Sequence, residues 1–142
     1  MKRYKVLIAD DHSIVRDGLK QMLLDTDDLI PEDNARNGNE ALALIRQKPF
    51  DLLVLDISMP GRTGLEIIHI IRDEKFTLPI LVLSMHEDPY YATRAIQAGA
   101  NGYIPKASDS NLLLQAMRRV ASGGMYLGSL CTAMEIKAAT EG

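Results

Sequence analysis

The sequence has a single cysteine, Cys131, in 142 residues, so no disulfide can close within the chain. Its three histidines, His12, His69 and His86, are scattered, and no cysteine or histidine spacing fits a zinc site. No apolar run approaches the roughly 20 residues that a membrane-spanning helix needs. The opening MKRYKV runs straight into a strand-like stretch rather than into the apolar core of a signal peptide. Neither sign of charge dominates: 16 basic residues against 19 acidic ones leave a net charge of −3. That removes any global argument for nucleic acid or an anionic membrane as a partner. Internal repeats and low-complexity segments are absent too. What remains is a cytoplasmic globular domain, and 142 residues are enough to bury a proper core.

Short apolar runs alternate with amphipathic stretches. The runs YKVLIA (4–9), DLLVLD (51–56), PILVLS (79–84) and GYIP (102–105) are nearly continuous in apolar residues, as parallel strands covered on both faces should be. Helical spacing fills the gaps. Val15, Gly18, Leu19, Met22 and Leu23 line one face of 13–25; Ala92, Ala95 and Ile96 mark 89–98, which Gly99 stops. Leu113, Ala116, Met117 and Val120 mark 109–122, with Ser108 as N-cap and Gly123–Gly124 as the stop. A helix over 64–74 holds Leu65, Ile67, Ile68, Ile70 and Ile71, more than one face can hide, so it is deeply packed or partly an interface. The second strand is the faintest element: Pro31 blunts its signal, and a short edge strand is expected near 33–36, ahead of the helical GNEALALIRQ. The pattern predicts an α/β fold of five β-α units, an open, doubly wound parallel sheet.

Such sheets gather ligands at the carboxyl ends of their strands. The first strand ends in Asp10–Asp11, the third in Asp56, the fourth in Ser84 and the fifth in Lys106. Two adjacent aspartates repel each other, and tolerate closeness only with a cation, a shared proton or open water. Three carboxylates at one rim suit a hard divalent cation such as Mg2+, usually held by one or two carboxylates, water and a phosphate oxygen. An ammonium and a hydroxyl beside them suit a phosphoryl group.

The motifs IADDH, DLLVLDISMPGRTGLE, ILVLSMHED, AIQAGANGYIPK and VASGGMYL occur in this order, and with them residues 3–127 resemble the receiver domain of two-component response regulators. DDH, SMHED, GANGYIPK and GGMYL look most like the branch that couples a receiver to a C-terminal helix-turn-helix. The resemblance implies the flavodoxin-like order 2-1-3-4-5, and Asp56 as phospho-acceptor from a sensor histidine kinase. It implies Mg2+ on Asp11, Asp56 and the Ser58 carbonyl, with Asp10 acting through water. Lys106 would pair with the phosphoryl group, Ser84 would turn its hydroxyl onto it, and Tyr103 would swing inward behind. Such a chain is a signalling switch, not an enzyme beyond self-phosphorylation and autodephosphorylation.

Alternatives stand beside several of these roles. Ser84 could simply bond backbone, and Tyr103 could be ordinary packing. His12 and His86 read as loop residues rather than ligands. Ile14, off the buried stripe beside the site, could dock a kinase or lie under a loop. Pro105 fixes the backbone before Lys106, and Met85 could narrow access to an acyl phosphate. Tyr90, Tyr91 and Arg94 form a candidate partner surface. A phosphatase of the haloacid dehalogenase type shares the aspartate, hydroxyl and lysine, but needs a second aspartate where Ser58 stands. A phosphorylation-independent binding module is argued against by the complete acid set. The expected organisation is a receiver over 1–124 and a linker over 125–142 leading to an effector domain absent from this chain. Leu127, Leu130, Cys131, Met134 and Ala138 would stripe that tail, which pairs with a second copy or stays mobile. Without a basic patch there, DNA is a partner only through the missing domain.

Overall fold

The computed structural model describes residues 2–57, 59, 63–84 and 89–127, the side chains of 89 and 90 excepted. Five strands and five helices alternate: β1 Tyr4–Ala9, α1 Ser13–Leu24, β2 Leu29–Ala35, α2 Gly38–Gln47, β3 Leu52–Asp56, α3 Gly64–Asp73, β4 Ile80–Ser84, α4 Pro89–Ala98, β5 Gly102–Pro105 and α5 Ser110–Ala121. The strands form one parallel sheet in the order β2-β1-β3-β4-β5. No described helix is long and apolar enough to cross a membrane.

The unbroken apolar runs have a direct cause. Neighbouring residues of a strand point to opposite faces, and here both faces are covered. Leu7, Leu53, Leu55, Ile80 and Val82 pack on one side with α2, α3 and α4. Val6, Ile8, Leu52, Val54, Leu81 and Leu83 pack on the other with α1 and α5. β3 and β4 are therefore buried at every position. The crowded apolar helix resolves as deep packing: Ile67, Ile68 and Ile71 of α3 are fully buried, and Leu65 and Ile70 fill in around them.

Three expectations need correction. The second strand spans Leu29–Ala35, not 33–36, because it runs through Pro31. Its register against β1 slips between Val6 and Leu7, which pair with Pro31 and Asp33, leaving Glu32 as an extra residue. An edge strand accommodates both the missing proline donor and the bulge. Gly18 belongs to the exposed face of α1, with nothing within 4 Å of where its Cβ would be. The N-cap of α5 is Asp109 rather than Ser108: its carboxylate accepts the Leu112 N–H at 3.0 Å.

Two contacts steady the sheet near β5. Arg72, at the end of α3, donates to the carbonyls of Phe76 and Gly99 and to Asn101 Oδ1, which also accepts the Ile80 N–H. Beyond α5 the chain turns at Gly123, φ 103°, and lays Tyr126 along the outer edge of β5. Tyr103 N–H donates to the Tyr126 carbonyl at 2.8 Å, and Tyr126 N–H to the Asn101 carbonyl at 3.1 Å. The approach is so close that a Cβ on Gly102 would lie 2.9 Å from the Tyr126 oxygen. Leu127 follows into the same cluster as Tyr103, while Tyr126 packs on the opposite one.

Candidate functional site

Each acidic group is placed by the end of a strand. Asp10 follows β1, its N–H held by the Ala35 carbonyl of β2; Asp56 closes β3; Ser84 closes β4. All three are completely buried, although most of the surrounding interior is apolar. Lys106 follows β5 and is fixed by its own N–H on the Ser84 carbonyl at 2.8 Å. Pro105, directly before it, cannot donate, so the strand ends there and the lysine turns over the rim.

The ammonium of Lys106 lies between two buried acids. Nζ is 2.9 Å from Asp10 Oδ2 and 3.1 Å from Asp56 Oδ2, with a tenth of the lysine side chain exposed. Burial would push the Lys106 pKa down, but bonding to Asp10 and Asp56 outweighs it and holds the amine above its ordinary value. Lys106 thus stays charged across the neutral range. Asp11 is half-buried beside the pair. Asp10 Oδ2 is met by the Lys106 ammonium, whereas Asp11 Oδ1, also sealed from solvent, has only the His12 ring at 3.2 Å beside it among the described residues. Such groups call for a cation.

The structure therefore brings Asp10, Asp11, Asp56, Lys106 and the buried Ser84 to one rim. Tyr103 lies on β5 below them and is buried. Ser58, Met85, His86 and the tail positions Leu130, Cys131, Met134 and Ala138 lie outside the described residues. Ile14 is 85% exposed, as its position off the stripe requires. On α4, Tyr91 and Arg94 are exposed.

Two residues at the rim make contacts that the sequence does not announce. Arg16 donates to the Asp10 carbonyl at 2.7 Å, pinning α1 to the end of β1. His12, read as a loop residue, places Nδ1 3.2 Å from both Asp10 Oδ1 and Asp11 Oδ1. One ligand atom each from Asp10, Asp11, His12 and Asp56 lies within 4.8 Å of the others. Its signal was adjacency to the aspartate pair, which a search for metal spacings passes over.

A doubly wound parallel sheet with a lysine-bridged acid cluster at its carboxyl end belongs to the class of α/β domains whose strand ends form an anionic, cation-binding rim. The comparisons settle the family. The response regulator receiver domain matches residues 6–118, and the chain belongs to that family. It is 38% identical to the oxygen regulatory protein NreC of Staphylococcus carnosus, over 87% of this chain and 57% of that one. It is 31% identical to the transcriptional regulatory protein DegU of Brevibacillus brevis, over 88% and 53%. The chain thus spans little more than half the length of these relatives. Among solved structures, a two-component response regulator of the LuxR family from an Aurantimonas species superposes with a TM-score of 0.87 at 30% identity, covering 99% of this chain and all of that one. The receiver domain of the NarL regulator from Mycobacterium tuberculosis gives 0.82 at 28%, covering 87% and 99%. The chain is a receiver domain of the two-component response regulators, and the relatives and structures it resembles include regulators of the LuxR and NarL type.

Proposed function

We propose that Asp56 is the phospho-acceptor of this receiver. One of its carboxylate oxygens attacks the phosphorus of a phosphohistidine on a sensor kinase; the phosphorus–nitrogen bond breaks and the imidazole leaves. The observation that supports this is a fully buried carboxylate at the end of a central strand, bridged by Lys106 to a second buried acid. Catalysis at such a site is positioning and charge neutralisation.

The sealed acid oxygens fit a divalent cation. Asp11, Asp56 and the Ser58 carbonyl would hold Mg2+, with Asp10 acting through water; bound there, the ion neutralises charge on the phosphoryl oxygens. Lys106 then exchanges part of its contact with Asp56 for the phosphoryl group. The Ser84 hydroxyl turns onto the same group, and Tyr103 reports the change through β5. Beyond the acceptor chemistry the domain is a cytoplasmic switch rather than a turnover enzyme. It relays its state to a C-terminal DNA-binding domain, in keeping with relatives that are longer and carry the names of transcriptional regulators. In this organisation residues 1–124 are the receiver and 125–142 lead to the effector, and a homodimer is the expected self-associated form.

The test is labelling by acetyl phosphate. The wild type should take up phosphate only with Mg2+, Asp56→Ala should take up none, and Ser84→Ala should be labelled but dimerise less in response. Undiminished labelling of Asp56→Ala overturns the assignment.

A further inference from the structure

The chain leaves α5 by crossing the edge of the sheet. Gly123 turns it back in the left-handed region at φ 103°, and Tyr126 then makes a parallel bridge with Gly102 on the outer side of β5. Successive residues of an extended segment face opposite ways, and here each finds a core. Tyr126 packs on the cluster that holds Ile104 and Val120, and Leu127, 8% exposed, belongs to the cluster of Tyr103. Backbone bonds join segment and strand in both directions, Tyr103 N–H to the Tyr126 carbonyl and Tyr126 N–H to the Asn101 carbonyl. Residues 126 and 127 are thus a strap, seated on both faces of the sheet and along the backbone between them.

What the strap holds is the strand that presents Lys106. β5 is only four residues long, Gly102–Pro105, and Lys106 follows directly. The amino end of this strand is fixed independently, since Asn101 Oδ1 accepts from Arg72 and from the Ile80 N–H. Beyond that point β4 lines one side, and among the described residues the strap covers the other. A short edge strand with an open side unfolds locally at low cost, and Lys106 would lose its place with it. Tyr103 and Lys106 stand three residues apart, about 10 Å along one extended segment. We infer that residues 126–127 couple the rim to the outgoing chain: seated, they hold β5 and Lys106 in place for the phosphoryl group, and a phosphoryl group at the rim tightens the seat in return. Such reciprocity is required of any two binding events that share one element. The inference rests on the acceptor and lysine roles proposed above, and adds the route by which their state reaches the residues beyond Leu127.

Beryllium fluoride with Mg2+, which mimics an aspartyl phosphate, is the probe, titrated by calorimetry into the full 142-residue chain. Hydrogen exchange at the Tyr103 amide reads the seat. Leu127→Ala and Tyr126→Ala loosen the strap from opposite faces, and Met125→Ala, at an exposed position beside it, should match the wild type. Both loosening variants should bind the probe about fivefold or more weakly and exchange the Tyr103 amide faster, and the probe should slow that exchange in the wild type by a similar factor. Should one variant fail to fold, the other carries the test. Faster exchange with unchanged probe affinity reduces the strap to packing, and tighter binding makes it a restraint on the rim; either overturns the inference. Exchange as slow as in the wild type in both variants overturns it too. If the wild type binds no probe, or Asp56→Ala binds it equally well, the acceptor reading fails first and the coupling falls with it.

Discussion

Lys106→Met removes the cation between two buried carboxylates while keeping most of the side-chain volume. The distances are 2.9 and 3.1 Å, and 1% and 0% of the Asp10 and Asp56 side chains are exposed. At an effective dielectric of about 20, each contact represents roughly 5 kcal/mol of attraction, most of it offset by desolvation of three charges. Removing one partner leaves the desolvation without the attraction, which costs about 3 kcal/mol. The variant should respond by binding a proton, since burial and a like-charged neighbour both raise a carboxylate pKa. A carboxylate raised above its unfolded value costs stability above the folded pKa, so the deficit should be full near pH ~8 and shrink toward pH ~5.5. Wild-type Lys106 is held above its ordinary value. Its contribution is therefore complete below the unfolded lysine pKa and lost only as pH rises through the higher folded one, outside this window. Urea denaturation in EDTA at the two pH values measures the difference, and added Mg2+ should restore more stability to the variant than to the wild type. A variant as stable as wild type at the higher pH, or a deficit that ignores pH, refutes the reasoning.

Gly18→Ala should stabilise the domain by about 0.5–1 kcal/mol in urea denaturation, because the helical position is open to solvent and alanine loses less backbone entropy. Gly102→Ala should instead cost about 2 kcal/mol, since its Cβ would meet Leu81, Val120 and the Tyr126 carbonyl at 2.9 Å; faster hydrogen exchange at the Tyr103 amide would report release of the 126 segment. Bonding to Arg118 holds the Asp28 carboxyl below its usual value. A depressed pKa stabilises above the unfolded value and is lost as pH falls through the folded one. Asp28→Asn should therefore cost about 0.5 kcal/mol at neutral pH, discounted for the half-exposed arginine, and nothing below pH ~3.

The sequence was easiest to read where one physical demand acted alone. β1, β3 and β4 are covered on two faces, so their apolar runs could serve no other element. β2 lies at an edge and needs no such run; a proline and a bulged glutamate hid four of its residues. At the rim, the acids, Ser84 and Lys106 were legible because strand ends in this topology converge. Which of them touch was not: Lys106 was expected on a phosphoryl group, and here it bridges Asp10 and Asp56, a choice set by distances across β1, β3 and β5. The contacts of His12 and Arg16 were not legible, because one stands at a helix start without capping it and the other reaches a backbone carbonyl. Arg72 reads as ordinary helix surface, since the carbonyls it serves lie up to 27 residues away.

Both edge strands contain a proline, Pro31 in β2 and Pro105 in β5, and the three inner strands contain none. On β5, Tyr103 N–H points outward to Tyr126 while Lys106 N–H points inward to Ser84, so position 105 faces outward with no proton to give. The outward donor at 103 is already engaged. A strand arriving from another molecule would find no amide to bind at either position, and the sheet cannot grow sideways from this border by templating. At this border, contact with another molecule falls to side chains, which can be tuned by charge and shape, and not to backbone, which any extended chain could match.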